Sequence, residues 1–435
     1  MVQDRIALHS LGCKVNQNEA EAMLHMFRQA GYREVDFNQK ADVYLIHTCT
    51  VTHLGDRKSR QMIRRAIKQN PAAIIIVSGC YAQMAPDEIL EIPGVDLVVG
   101  TQDRNRILEL VEQVKESRKP INAVRDVLHT KEFEELELEH TDRARAFLKI
   151  QEGCQQFCTY CIIPFARGPV RSRDPEKTLR EVEKLVENGY KEIVLTGIHT
   201  GAYGQDLPQG YDLNWLVSQI AQVPGLARLR ISSLDPNEFT PDFIDTISNH
   251  PVICPHFHIS LQSGDDDILE RMRRSYTTEE YRQLVKKLRL EIPQVAITTD
   301  VMVGFPGETA EQHRNSMAFV EEMEFAGLHV FKYSPRIGTK AARFDNQVPP
   351  EVKEERSKEM IALGRRLKEK FAQSFLGQKL DVLVEQQTKD GLWEGHTPNY
   401  LKVCFEAPQD DLRGKILPVK LIEYAGDFIL GEVKS

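Results

Sequence analysis

Three cysteines, Cys154, Cys158 and Cys161, fall in the run GCQQFCTYC at the spacing C-x3-C-x2-C. Thiolates this close in sequence can each take one iron of an iron–sulfur cube, leaving the fourth iron without a protein ligand. Thiolate suits zinc as well, so the spacing alone does not choose the metal. A zinc site asks for a fourth Cys or His nearby, and the next cysteine after Cys161 is Cys254. The vacancy is the informative feature, and a small chelating molecule is its natural occupant.

A second set of thiols is scattered in sequence but not in expected position. The segments DRIALHSLG, ADVYLIHTC and PAAIIIVSGC read as strands that end at or beside Cys13, Cys49 and Cys80. Helical periodicity over 18–30 and over 55–68 separates them, and VDLVVGT follows as a fourth strand. Strand–helix alternation implies an open parallel sheet covered on both faces, and such sheets bind ligands at the carboxyl ends of their strands. Three cysteines delivered to that edge suggest a second three-thiolate site. Buried cysteines acting as small hydrophobes are the competing reading.

The elements that position the first triad form a longer α/β series. FLKIQEG leads into the cysteine loop, and KEIVLTGI, LARLRISS, HFHISLQSG, VAITTDVMVGFPG and GLHVFKYSP follow as strands. Helices are expected at 174–190, 211–222, 240–248, 277–290 and 309–325. Six strands predict a (β/α)6 partial barrel, because a closed eight-strand barrel needs more than the roughly 220 residues on offer. Chemistry in such barrels sits on loops at the carboxyl ends of strands. That places Thr196, Gly197, His199 and Thr200, then Ser232 and Ser233, then Gln262, Ser263 and Gly264, and then Asp300 with the GFPGET loop at 304–309, around one mouth. Each polar residue taken singly is as well explained by turn formation or capping. His199 and Asp300 are the candidates for acid–base roles, and His199 serves equally as a hydrogen-bonded lining residue. Arg167, Arg171 and Arg173 just past the cysteines suit a carboxylate or an anionic substrate backbone, and Arg271, Arg273 and Arg274 make a second such patch.

A long helix is expected over 351–375, and beyond Gly377 five short strands predict a small antiparallel β-barrel. Its residues 377–435 carry 7 Lys or Arg against 10 Asp or Glu, so the module is not basic. Trp393, His396, Asn399 and Tyr400, if exposed, would stack on or hydrogen-bond to bases; burial as packing groups is the alternative. Upstream, RKSRQMIRRAIK packs Arg57, Lys58, Arg60, Arg64, Arg65 and Lys68 into one helix, a candidate contact for RNA phosphate. Cys254 and Cys404 have no partners by spacing and read as structural.

Length and composition bound these readings. At 435 residues two or three domains are expected, here 1–140, 141–372 and 373–435, with an acidic, poorly patterned linker around EFEELELEH. With 41% hydrophobic and 28% charged residues the chain is ordinary for a globular protein. No apolar run suits a bilayer span and no secretory leader precedes the first strand, so a cytoplasmic location without membrane partners is expected. Eight cysteines are too few for a disulfide scaffold, and a net charge of −8 argues against wrapping long duplexes.

The segment 148–173, LKIQEGCQQFCTYCIIPFARGPVRSR, together with LGCKVN, TCTVT and GCYAQ, resembles the radical S-adenosylmethionine (SAM) methylthiotransferases. The resemblance covers nearly the whole chain. It implies a radical SAM partial barrel and a carboxyl-terminal RNA-binding TRAM barrel. It implies two [4Fe-4S] clusters, one on Cys154, Cys158 and Cys161 and an auxiliary one on Cys13, Cys49 and Cys80. SAM then serves both as methyl donor and as source of a 5′-deoxyadenosyl radical, with contacts expected from Gly197, His199, Ser232, Gln262, Asp300 and Arg167. The family's acidic residue for the SAM amino group has no counterpart in TGIHTGAYG, and Ser260 replaces a usual proline before QSG. The implied partners are a tRNA anticodon stem-loop and a one-electron reductant of the flavodoxin or ferredoxin kind; the sulfur source is left open. LGCKVN, TGIHTGAYG and RISSLDP resemble the branch that methylthiolates carbon 2 of N6-threonylcarbamoyladenosine 37. Isopentenyladenosine 37 or a ribosomal-protein aspartate is the alternative target, and an RNA-binding scaffold with structural zinc the alternative of another class.

Overall fold

The computed structural model describes residues 3–136, 144–407 and 411–433. The boundary expected at 140/141 lies outside the described residues. The first unit is a wholly parallel sheet of β1 (Arg5–Ser10), β2 (Arg33–Glu34), β3 (Val43–Thr48), β4 (Ile74–Gly79), β5 (Leu97–Val99) and β6 (Ile121–Asn122), in the order β2-β1-β3-β4-β5-β6. Its central strands are apolar and almost without exposed surface, as strands covered on both faces must be. Helix α1 (Lys14–Gln29) starts four residues before the expected position, directly after Cys13. Its first turns carry Asn16, Asn18 and Glu19, polar residues buried against the next unit, so apolar periodicity does not mark them. Helix α2 (His53–Gln69) is capped by Thr52, whose hydroxyl accepts from the Gly55 amide at 3.2 Å.

The second unit holds six parallel strands: β7 (Arg145–Glu152), β9 (Glu192–Gly197), β10 (Arg228–Ile231), β11 (His256–His258), β12 (Ala296–Val303) and β13 (Gly327–Lys332). A short antiparallel strand, β8 (Arg171–Ser172), caps β7. The ladder breaks between β10 and β11, where isolated parallel bridges Leu229–Ile253 and Leu234–Ile259 continue the curve. The result is the expected six-strand partial barrel. Alternation along β12 sends Ile297, Val301 and Val303 into the core beneath the outer helices and leaves Thr298, Asp300 and Met302 on the inner face. The same period puts Arg228, Arg230 and Ser232 of the β10 segment, and His256 and His258 of β11, on that inner face. Helix α1 lies against it, where Asn18 Nδ2 donates to the Phe147 carbonyl at 2.8 Å.

The helix Pro350–Gln373 packs on β13 and leads to a closed five-strand barrel of β14 (Lys379–Gln387), β15 (Trp393–His396), β16 (Lys402–Glu406), β17 (Ile416–Tyr424) and β18 (Ile429–Glu432), ordered β14-β15-β16-β18-β17. One pair departs from the antiparallel expectation: β18 turns back from β17 and slots beside β16 in parallel. This barrel plugs the foot of the half-barrel. Arg228 donates to the carbonyls of His396 (3.0 Å) and Asp381 (2.8 Å), and Arg230 to that of Pro398 (3.1 Å).

Glu192, fully buried, neutralises these arginines, at 3.2 Å from Arg145 Nε, 3.2 Å from Arg230 Nε and 3.6 Å from Arg228 Nη1. Burial would raise its pKa, but the guanidiniums outweigh burial and hold the carboxyl at about 2. A carboxyl depressed by folding stabilises above its ordinary pKa near 4.5 and loses that contribution as pH falls toward 2. Glu192→Gln therefore costs about 3–5 kcal/mol at neutral pH, because three buried cations lose their only shared anion. Chemical denaturation at pH 7 reads this loss, and the gap between variant and wild type closes between pH 4.5 and 2.

Candidate active site: two cysteine triads on one lumen

Local backbone geometry explains how each triad is presented. Gly153, at φ +77°, precedes Cys154, and a Cβ there would stand 1.8 Å from the Pro169 carbonyl oxygen, so only glycine admits the loop. Gly79, at φ +98°, does the same before Cys80, with the Thr48 carbonyl oxygen 2.5 Å from any added Cβ. Cys13 caps α1, Cys49 follows β3, and Cys80 opens the short helix after β4, so adjacent parallel strands bring all three to one edge. Burial raises the Cys49 and Cys80 thiols, Cys80 to about 12, and each is raised further by its neighbours in the triad. Cys161 is likewise pushed up to about 12 by burial and by Cys158 and Cys154.

The spread of the sulfurs bears on the metal. Among the described residues, the only three Cys, His, Asp or Glu side chains with ligand atoms all within 4.8 Å of one another are His258, Asp300 and His329. The cysteine triads are set wider, whereas thiolates about 2.3 Å from one zinc stand roughly 4 Å apart. Wider spacing fits a cube, in which each thiolate meets a different iron. A triad spread of this kind is compatible with an iron–sulfur cluster.

Around the Cys154 triad lie groups that spacing did not reveal. His199 Nδ1 stands 3.9 Å from Cys154 Sγ, and its Nε2 is 2.5 Å from Glu238 Oε1. Burial opposes its charge, but Cys154 and Glu238 outweigh burial and raise its pKa to about 10. Placed between Cys154 and Glu238, His199 is a hydrogen-bonded lining group of this loop. Asp235, after β10, accepts from Gln156 Nε2 at 3.1 Å and from Arg274 Nη2 at 2.5 Å, and Arg274 Nη1 donates to Cys158 Sγ at 3.3 Å. Its second oxygen, Oδ1, is buried with no partner. A buried carboxylate oxygen awaiting a donor beside an iron–sulfur triad fits the ammonium group of SAM. The acidic residue missing from TGIHTGAYG has a candidate one strand later, in Asp235, whose only sequence signal is the DP turn in RISSLDP. Gly197 and Ser232 stand at the same mouth, Ser232 hydrogen-bonded to Thr200 at 3.0 Å, and Gln262 adopts φ +67° with its amide on the Asp300 carbonyl.

Arg167 is placed elsewhere than expected. Its guanidinium is fully buried and points at the other triad, donating to Cys80 Sγ (3.1 Å), Asn16 Oδ1 (2.6 Å), Glu19 Oε1 (2.7 Å) and Glu152 (3.2 Å). It is not free for SAM or RNA. Glu19 is shared with Arg104, Lys149 and His47; the charges of Arg104, Arg167 and Lys149 and the His47 hydrogen bond hold its carboxyl well below the ordinary range against the opposing effect of burial. Arg171 and Arg173 are likewise spent internally, on the Arg167 carbonyl and on Glu135. Asp300 lies midway along β12, bonded to His258 and His329 rather than near the cysteines.

Contacts cross between the two units that carry the triads. Lys14, next to Cys13, reaches 5.9 Å from the centroid of Tyr400, which stacks at 4.7 Å on His256 of the opposite wall. Loops after β13 close the side, as Arg336 pairs with Asp56 at 2.7 Å and donates to Thr50 at 2.6 Å beside Cys49. The expected base-stacking set of the small barrel is corrected here: Trp393 and Asn399 are buried, and Tyr400 is held between His256, His396 and the Arg230 guanidinium. In the basic helix, Arg60 is paired with Glu88 of another helix at 2.9 Å, while Arg57, Lys58, Arg64, Arg65 and Lys68 are turned toward solvent to differing degrees.

A glycine-cradled cysteine loop at the mouth of a six-strand half-barrel, beside an orphaned carboxylate, defines a radical SAM protein. Residues 148–320 match the radical SAM superfamily, 5–100 the Uncharacterized protein family UPF0004, and 373–434 the TRAM domain. With a second triad on the amino-terminal sheet and near full-length relatives, the chain belongs to the radical SAM methylthiotransferase family. It is 48% identical to Threonylcarbamoyladenosine tRNA methylthiotransferase MtaB of Bacillus subtilis, over 96% of this chain and 94% of that one. It is 35% identical to the tRNA-2-methylthio-N(6)-dimethylallyladenosine synthase of Moorella thermoacetica, over 97% and 96%. Among solved structures, the radical SAM methyltransferase TsrM of Kitasatospora setae shares the fold, with a TM-score of 0.57 at 15% identity over 78% of this chain and 77% of that one. No helix among the described residues is long and apolar enough to cross a membrane.

Proposed function

We propose that this protein is the tRNA methylthiotransferase that converts N6-threonylcarbamoyladenosine 37 to its 2-methylthio derivative, using SAM both as methyl donor and as radical source. Near full-length similarity to the Bacillus subtilis MtaB supports the substrate, and two triads of free cysteines on adjoining units support the chemistry. The working units are 1–140, 141–372 and 373–435, with [4Fe-4S] clusters on Cys13, Cys49 and Cys80 and on Cys154, Cys158 and Cys161. Bound there, these clusters supply one-electron cleavage of SAM at one site and a sulfur carrier at the other.

The chain's own residues do the rest. Asp235 Oδ1 accepts the SAM ammonium, while Gln156 and Arg274 hold Asp235 in place and the strand-end backbone at Gly197 lets the ligand lie close. Arg167 and the Glu19 network fix the amino-terminal sheet against the half-barrel, so the substrate base enters a gap of defined width. The protein acts in the cytoplasm, where reducing conditions keep thiols available to metal, and receives electrons from a flavodoxin- or ferredoxin-like partner. The anticodon stem-loop is held by the cations of α2 and by the small barrel.

The test is anaerobic: reconstituted protein with SAM, dithionite and tRNA bearing threonylcarbamoyladenosine 37, followed by nucleoside mass spectrometry. A 2-methylthio gain on that nucleoside, with 5′-deoxyadenosine released, is expected. Iron-free protein holding stoichiometric zinc would contradict the reading.

A further inference from the structure

We propose that His258, Asp300 and His329 form the receptor for the polar, anionic N6 substituent of the substrate nucleoside. The inference rests on the function just proposed and adds the residues that select the substrate. Asp300 Oδ1 stands 3.3 Å from His258 Nε2 and 3.3 Å from His329 Nδ1, and the two imidazoles stack at 5.3 Å. His258 is locked from behind by Thr298 Oγ1, 3.1 Å from its Nδ1. The trio is therefore oriented, not a chance surface cluster. His329 is the outermost member, with a side chain 68% exposed against 11% for His258 and 27% for Asp300.

Its position suits the substituent. Met302, two residues beyond Asp300 on the same face of β12, packs in one apolar cluster with Tyr160 of the cysteine loop. The trio thus lies one residue pair, roughly 7 Å along β12, from Met302. On its other side are Thr298 and His256, the latter stacked on Tyr400, whose ring Lys14 beside Cys13 approaches. His329 also lines a cavity of about 490 Å³ together with His256, Thr298 and Tyr400, in which Lys368 pairs with Asp427 at 3.5 Å and Lys402 with Glu394 at 2.8 Å. An adenine placed between the two triads would project its N6 substituent along this wall.

The chemistry discriminates. A threonylcarbamoyl group offers a carboxylate, a hydroxyl and amide hydrogens, all of which find partners on imidazole nitrogens. With Nδ1 bonded to Asp300 at 3.3 Å, the His329 ring keeps Nε2 for the incoming substituent. An isopentenyl group offers nothing and would strip water from His258 and Asp300 without replacing its hydrogen bonds.

The test compares His329→Phe, His329→Gln and wild type, all reconstituted, on one tRNA bearing either threonylcarbamoyl- or isopentenyladenosine 37. For His329→Phe, KM on the threonylcarbamoyl tRNA is expected to rise at least about tenfold, with SAM cleavage in the absence of tRNA unchanged. His329→Gln, which keeps a polar donor, recovers part of the loss. An unchanged KM in His329→Phe, with wild type active on the threonylcarbamoyl tRNA, overturns the inference alone. Wild type active only on the isopentenyl tRNA overturns the functional reading and this inference with it. Stoichiometric Mn²⁺ binding that His329→Phe abolishes would reassign the trio as a metal centre and overturn the inference.

Discussion

Replacing any one of Cys154, Cys158 or Cys161 with alanine abolishes SAM cleavage, whereas replacing Cys13, Cys49 or Cys80 leaves 5′-deoxyadenosine formation and stops methylthiolation. The asymmetry follows from the two triads being separate, on different units. Only the first stands beside the orphaned Asp235 oxygen that suits SAM. Iron analysis checks the assignment independently of turnover. Wild type should hold about eight irons and each single-triad variant about four, since a cube held by two thiolates is not retained. A Cys49→Ala protein that methylthiolates at the wild-type rate contradicts the account, as does a Cys158→Ala protein that still releases 5′-deoxyadenosine.

Arg167 carries the second large effect. Its side chain begins on the segment after Cys161 and ends on Cys80, and Glu19 and Glu152 are buried against it. Arg167→Met leaves those carboxylates short of a cation and costs about 3–5 kcal/mol. Arg167→Lys keeps a charge but cannot reach sulfur, amide and two carboxylates together. For the lysine variant we expect a folded protein with SAM cleavage near wild type. Methylthio transfer should fall by about 10- to 100-fold, the worth of one charge-assisted hydrogen bond of about 1.5–3 kcal/mol. The electronic spectrum of the cluster on Cys13, Cys49 and Cys80, measured in a Cys154→Ala background, should shift with Arg167→Lys; a purely structural role would leave it unmoved. Equal losses of SAM cleavage and transfer would mean that Arg167 only holds the fold.

The architecture was legible because buried parallel strands write themselves as apolar runs, as AAIIIVSG does before Cys80. The cysteines were legible because close spacing in one triad, and strand-end placement in the other, is what thiolate ligation of metal demands. What escaped was polar chemistry between units. Asn16, Asn18 and Glu19 break the apolar period of α1 because they are buried against charges from 145–167, and no local window contains those partners. Arg167 looked available for a ligand because its anions lie more than a hundred residues away in sequence, at Glu19, or are themselves buried, at Glu152. Asp235 sits in a turn past a strand whose own end, Ser232 and Ser233, carries the plainer polar signal. Tyr400 looked like a base platform because a polar turn between two strands cannot show that the foot of another unit covers it.

The most direct test of the central claim is nucleoside mass spectrometry of tRNA from cells lacking this protein, re-supplied with wild type or with Cys49→Ala. Wild type should restore 2-methylthio-N6-threonylcarbamoyladenosine while Cys49→Ala leaves N6-threonylcarbamoyladenosine unthiolated. Restoration of a 2-methylthio group on isopentenyladenosine instead, or no change in any methylthio nucleoside, would contradict it.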